Sequence, residues 1–117
     1  IIFTFSPRKD IKYLFTGDAS RESFNNIPSQ LVSYYKNVYW LKVPHHGSAH
    51  NLDSDLIKMF NPKVAYISTE KEGHYLDRCT LNALKRHGVN VYSTHKYNSM
   101  LANGFQQRED YSPVDPC

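Results

Sequence analysis

From residue 38 onward, short apolar runs alternate with stretches of helical period, and this alternation constrains the fold more than any other feature. Val38 to Val43 is a compact apolar run bounded by Asn37 and Pro44, the pattern of a buried strand. Asp53 to Phe60 predicts a helix with Leu52, Leu56 and Met59–Phe60 turned inward, stopped by Asn61-Pro62. Val64 to Ser68 predicts the next strand. Asp77 can cap a helix running through Leu81 and Leu84, and Gly88 stands where a left-handed C-terminal cap belongs. Val89 to Thr94 and Met100 to Phe105 predict the last strands. Such an order of elements gives a mixed α/β layered domain.

The first third of the chain reads differently. Ile1 to Phe5 and Ile11 to Thr16 predict two strands joined through the polar turn Ser6-Pro7-Arg8-Lys9-Asp10, a hairpin. Phe24, Ile27, Leu31 and Tyr35 then recur at helical spacing between Glu22 and Tyr35. Pro28 removes a backbone donor within that stretch, so two short helical pieces or a kink are expected. Repeats and linker-like shifts in composition are absent. The expectation is one unit over residues 1–117, with a folded core over 1–107 and an irregular tail over 108–117 that contains Pro113 and Pro116.

Composition excludes some classes. Apolar residues make up 40% of the chain and aromatics 14%, so it has the material for a packed core and is not a disordered segment. The longest apolar runs fall far short of the roughly 20 residues a bilayer-spanning helix needs. No secretory signal pattern opens the chain, which starts at Ile1 as though inside a strand. The net charge of +3 is scattered, and the densest cationic groups, Arg8-Lys9 and Lys85-Arg86-His87, read as a turn and a helix C-terminus rather than a nucleic-acid track. Cys79 and Cys117 form neither a CxxC nor a zinc-ribbon spacing. Pairing across the chain is open to them, but two free thiols are the expectation.

Two stretches carry chemistry. In Leu14-Phe15-Thr16-Gly17-Asp18 an apolar strand delivers a carboxylate at its C-terminal end, directly after a glycine that lets the backbone turn sharply. In Leu41-Lys42-Val43-Pro44-His45-His46-Gly47-Ser48 a buried strand delivers two imidazoles in the same way. Neutral imidazole is a good ligand for zinc, manganese and iron, and carboxylate oxygen accepts the same cations. On an extended segment, adjacent histidines point to opposite sides, so one can ligate while the other lines a substrate cleft. Ser48 is a candidate to hold the loop by capping the following helix. His50 is near enough in sequence to reach the cleft, whereas His87 is explained by the dipole of its helix and His95 by a strand end.

The order strand-Gly-Asp, helix, strand-Val-Pro-His-His-Gly-Ser, helix, Asn-Pro-Lys-Val-Ala-Tyr-Ile-Ser resembles the distal half of metallo-β-lactamase superfamily hydrolases. Within that superfamily it is most similar to the branch of ComEC-type competence proteins and teichoic-acid phosphorylcholine esterases. The resemblance covers roughly residues 1–95 and rests chiefly on Leu-Lys-Val-Pro-His-His-Gly-Ser. It implies half of an αββα sandwich, a mixed sheet with helices packed on one face. It also implies two divalent metal ions, zinc first, with manganese or iron as alternatives. Asp18 would bridge the ions, His46 would ligate one of them, and His45 would stabilise charge beside the substrate. Gly73-His74-Tyr75 matches a Gly-His-Pro segment of the branch without its proline, which gives His74 a substrate-side role by resemblance.

The superfamily's His-x-His-x-Asp-His loop occurs nowhere in the 117 residues. Asp18 and His46 cannot hold two ions alone, because each site takes about three or four ligands. The remaining ligands are therefore expected from the N-terminal half of the same domain, on a preceding segment or a separate chain, and the isolated chain is expected to be inactive. The leading expectation is hydrolysis of a phosphodiester or related ester. Two alternatives stand beside it. One is a non-catalytic nucleic-acid-binding or interaction module on the same fold. The other is a lactam, lactone or thioester hydrolase.

Overall fold

The computed structural model of the chain describes residues 2–68, 77–93 and 113–117. Strand β1 (Phe3–Arg8) and strand β2 (Ile11–Phe15) form an antiparallel hairpin in which Phe3 faces Phe15 and Phe5 faces Tyr13. The strand expected to end at Phe5 runs on to Arg8, with an irregular register between Phe5 and Arg8. Pro7 falls within that irregular stretch and has no register partner, on a strand that is at the edge of the sheet among the described residues, so its missing N–H breaks no regular ladder bond. Helix α1 (Arg21–Asn25) and a 3-10 segment, Ser29–Tyr35, follow, two short pieces on either side of Pro28. Then come β3 (Trp40–Lys42), a 3-10 turn at Pro44–Gly47, α2 (Ser54–Phe60), β4 (Val64–Ile67), α3 (Arg78–Arg86) and β5 (Asn90–Ser93).

The five strands form one mixed sheet in the order β1-β2-β3-β4-β5, and every pair after the hairpin is parallel. A parallel neighbour requires a crossover, and right-handed crossovers between successive neighbours carry their helices to one face of the sheet. The side chains follow that logic. Leu14, Leu41, Ala65, Ile67 and Val91 point to one face, where they join Ile57, Phe60, Leu81 and Leu84 of α2 and α3 in a single buried cluster. Phe24 of α1 meets Phe60 edge-on, with ring centroids 5.1 Å apart. Burying a side chain of this size stabilises the fold by about 1.5–3 kcal/mol. Over the described residues the fold is thus α/β, with a five-stranded mixed sheet.

The other face is aromatic. Phe3 stacks on Phe15 with centroids 4.8 Å apart, Phe15 meets Trp40 at 5.4 Å, and Trp40 stacks on Tyr66 at 6.1 Å. Phe3 is 49% exposed and Phe5 56%.

The helix ends show how closely local sequence controls each element. Asp53 caps α2 by accepting from the Leu56 N–H at 3.0 Å. Asn61 closes it in a left-handed conformation (φ 48), and Pro62 follows. At the end of α3, Gly88 (φ 72) donates to the Lys85 carbonyl at 2.9 Å and Val89 donates to the Leu84 carbonyl at 3.0 Å. That is a Schellman closure with glycine at the position that needs it. Asp77 occupies the N-cap position of α3, but its carboxylate makes no hydrogen bond to that helix, contrary to the sequence expectation. Cys79 and Cys117 form a disulfide and are not free thiols. The C-terminal residue is held further by Cys117 N–H donating to the Cys79 carbonyl at 3.0 Å and by Ser54 N–H donating to the Cys117 carbonyl at 2.9 Å. The strand expected over Met100–Phe105 lies outside the described residues.

Candidate functional site

Parallel neighbours share their ends. Because β2 and β3 are adjacent and parallel, with Phe15 opposite Lys42, the segments that leave their C-terminal ends emerge side by side. These are the segments that carry Asp18 and the histidine pair. A direct bond joins them: the His45 N–H donates to the Gly17 carbonyl at 3.0 Å. Below it, the hydroxyl of buried Thr16 donates to the Lys42 carbonyl. Above it, the buried Asn51 amide donates to the carbonyls of Asp18 at 3.2 Å and Ala19 at 2.8 Å. Four bonds therefore tie residues 16–19 at the β2 tip to the end of β3 and the segment that follows it.

The histidine loop is not extended. His45 (φ 42, ψ 52), His46 (φ 57, ψ 20) and Gly47 (φ 91) are three successive residues with positive φ. For a residue with a Cβ this region costs about 1–2 kcal/mol, so two in succession require outside support. The expectation that adjacent imidazoles point to opposite sides fails for this reason. The left-handed turn brings the two ring centroids to 5.7 Å, with the planes tilted by 45°. Ser48 does not cap α2 either. Its hydroxyl accepts from the His50 N–H at 3.2 Å, while Asp53 takes the cap.

The contact of the His46 ring selects its neutral tautomer. Nδ1 lies against the Ser68 carbonyl, which can only accept, so Nδ1 donates there and, in the neutral ring, Nε2 holds the lone pair. A carbonyl partner on one imidazole nitrogen is the usual arrangement behind a metal-binding histidine. Asp18 is exposed at the β2 tip. Close by, burial lowers the pKa of Lys42, and the negative charge of Asp18 partly offsets this by drawing it upward. The Lys42 ammonium donates to the Val43 carbonyl at 2.8 Å. Burial also raises the pKa of Tyr66, which lies opposite Lys42 in the sheet.

An Asp oxygen and a His nitrogen suit zinc, manganese or iron, but they supply two donors where a site takes three or four. Among the described residues, no group of three or more His, Cys, Asp or Glu side chains gathers closely enough to hold a metal ion. His74 and His95 lie outside the described residues. His50 is exposed and lines a 410 Å³ cavity with Ser20, Arg21, Glu22, Asn25 and Asp53, a lining that includes none of Asp18, His45 and His46. An Arg21–Asp53 ion pair at 3.2 Å spans two of the residues in that lining. Among the described residues, no helix is long and apolar enough to cross a membrane.

Thr16, Asn51 and Asp77 were not singled out from the sequence as parts of this site. Thr16 had a signal, because it shares the core-facing parity of Leu14, and a hydroxyl there needs a partner. Asn51 and Asp77 had none, since their partners are backbone groups far away in the chain.

The chain is similar to ComE operon protein 3 of Bacillus subtilis (strain 168). The two are 30% identical over 86 residues, which is 72% of this chain and 11% of that protein. The link is therefore a distant one, to a small part of a much longer relative. No family model and no solved structure matches the chain.

Proposed function

We propose that the chain is the distal half of a metallo-β-lactamase-type hydrolase acting on a phosphodiester or a related ester. The observation that carries this reading is the strained histidine turn at the tip of β3, bonded to the neighbouring strand tip that bears Asp18. Backbone strain of this kind persists where the surroundings hold it in place, and it concentrates at functional sites. Asp18 and His46 would hold part of a two-ion site, with zinc first and manganese or iron as alternatives. Metal bound there would supply Lewis-acid activation of a water and offset charge on a phosphoryl oxygen. His46 presents Nε2 because Ser68 holds the proton on Nδ1. His45, its ring beside that of His46, stabilises negative charge developing on the substrate. By resemblance, His74 takes a substrate-side role as well.

The remaining ligands come from the N-terminal half of the same domain, on a preceding segment or a separate chain. The aromatic sheet face supports this part of the reading. A row running from exposed Phe3 through half-buried Phe15 to Trp40 is the kind of surface on which a second sheet packs, whereas isolated aromatic residues would need no such partner.

The test is metal analysis and phosphodiesterase assay of the full-length protein, beside a His46→Ala variant. The wild type should carry two transition-metal ions per domain, and the variant should lose both metal and turnover. A wild type that binds no transition metal overturns the reading. Turnover of lactones or thioesters without phosphodiesters would move the substrate and keep the site.

A further inference from the structure

Asp77 withholds its carboxylate from the helix it begins. It stands at the N-cap of α3 (φ −92, ψ 136), where an aspartate ordinarily accepts from the first turn, yet no such bond forms. Its Oδ2 instead accepts from the Ala49 N–H at 2.7 Å, and its own N–H donates to the Gly47 carbonyl at 3.2 Å. The two bonds grip the chain on either side of Ser48, directly after the left-handed His45 and His46. Two residues further on, the disulfide from Cys79 to Cys117 anchors the first turn of α3, so the grip comes from a fixed support. A short charge-assisted bond to a backbone N–H is among the stronger hydrogen bonds available.

We infer that Asp77 is a positioning residue, clamping the His45–Gly47 turn and so aiming the His46 imidazole. Its consequence for metal binding rests on the hydrolase reading above, while the clamp itself does not. Without the carboxylate, the loop keeps its tie to Gly17, the His46 bond to Ser68 and the backbone bond from Asp77 N–H to Gly47, but loses the bond at Ala49.

The experiment compares wild type, Asp77→Ser and Asp77→Asn in the full-length protein. Serine is able to cap α3 but is too short to reach Ala49, so it separates loss of the carboxylate's bond to the loop from loss of the helix, with the backbone bond to Gly47 kept. Asparagine keeps an acceptor oxygen at the same reach. The readouts are amide hydrogen exchange over residues 45–52 in metal-free protein and zinc affinity by chelator competition. In Asp77→Ser, exchange over 45–52 should rise at least tenfold and zinc affinity should fall about 10- to 100-fold, the range for loss of a group that orients a ligand. Asp77→Asn, which keeps the acceptor but not the charge, should lie closer to wild type than Asp77→Ser in both. Unchanged exchange in Asp77→Ser overturns the clamp. Faster exchange with unchanged zinc affinity overturns the aiming of His46. A wild type that binds no zinc or other transition metal sinks the hydrolase reading, and the exchange comparison then still decides the clamp.

Discussion

The tips of β2 and β3 lie side by side, but their backbones are built in opposite ways. At the β2 tip the left-handed residue is Gly17 (φ 54), which adopts that conformation without steric cost, and the chemistry-bearing Asp18 follows it. At the β3 tip the histidines themselves take the left-handed conformations, and the glycine comes only after them. The β2 tip can therefore hold its shape with few outside contacts. The β3 tip cannot, and it has them: Gly17 on one side, Ser68 behind the His46 ring, and Asp77 on the far side. A glycine confers shape locally, whereas a strained side-chain-bearing turn takes its shape from the rest of the fold. The β3 tip should for that reason be the more sensitive of the two to distant change.

Removing the disulfide is the largest perturbation of that contrast. Cys79–Cys117 closes a loop with a sequence separation of 38. A cross-link over such a loop contributes about 2–4 kcal/mol, mainly by restricting the unfolded chain. It also anchors α3 beside Asp77. A Cys79→Ala/Cys117→Ala variant should lose stability in that range in denaturant unfolding. Amide exchange should quicken over residues 45–49 more than over 16–19. Equal quickening at both tips would mean that the disulfide supports the domain as a whole and not the histidine loop in particular.

Backbone substitution sharpens the comparison at about half that size. Gly17→Ala places a Cβ in the left-handed region and should lower stability by about 1–2 kcal/mol. His45→Gly relieves the same penalty and adds freedom to the unfolded chain, which takes back about 0.5–1 kcal/mol. Its net effect on stability should lie between zero and about +1.5 kcal/mol, while turnover falls. Paired denaturant midpoints measure the difference, and a destabilised His45→Gly would show that the left-handed turn is not strained at all.

Much of this arrangement was legible in the sequence, for identifiable reasons. Apolar runs at Leu14-Phe15 and Val38–Val43 mark strands, and the residues after each run, Gly17-Asp18 and His45-His46, mark the same end of each. Pro28, Asn61-Pro62 and Gly88 punctuate the chain where their backbone preferences dictate. Nothing in Pro-His-His-Gly-Ser specifies two left-handed residues, so the sequence points to an extended segment there; bonds to Gly17, Ser68 and Asp77, each distant in the chain, support the left-handed turn instead. The disulfide escaped for a related reason, since spacing does not reveal which cysteines meet. At Asp77 residue type marks the cap position, but where the carboxylate goes depends on a loop that only the fold brings near.

The tie between the two tips is where the smallest effect is expected. Thr16 is fully buried, and its hydroxyl donates to the Lys42 carbonyl across the β2–β3 junction. Thr16→Val keeps the shape and removes the donor, so the main loss is one hydrogen bond in a dry environment. That should lower stability by about 1 kcal/mol, more if water cannot reach the Lys42 carbonyl. The location of any further effect is the informative part. If the tips are held together chiefly by the backbone bond from His45 to Gly17, Thr16→Val leaves exchange at the His45 amide unchanged. If the hydroxyl sets the spacing on which that bond depends, exchange at His45 rises with the loss of stability, and the unstrained tip proves to be part of what supports the strained one.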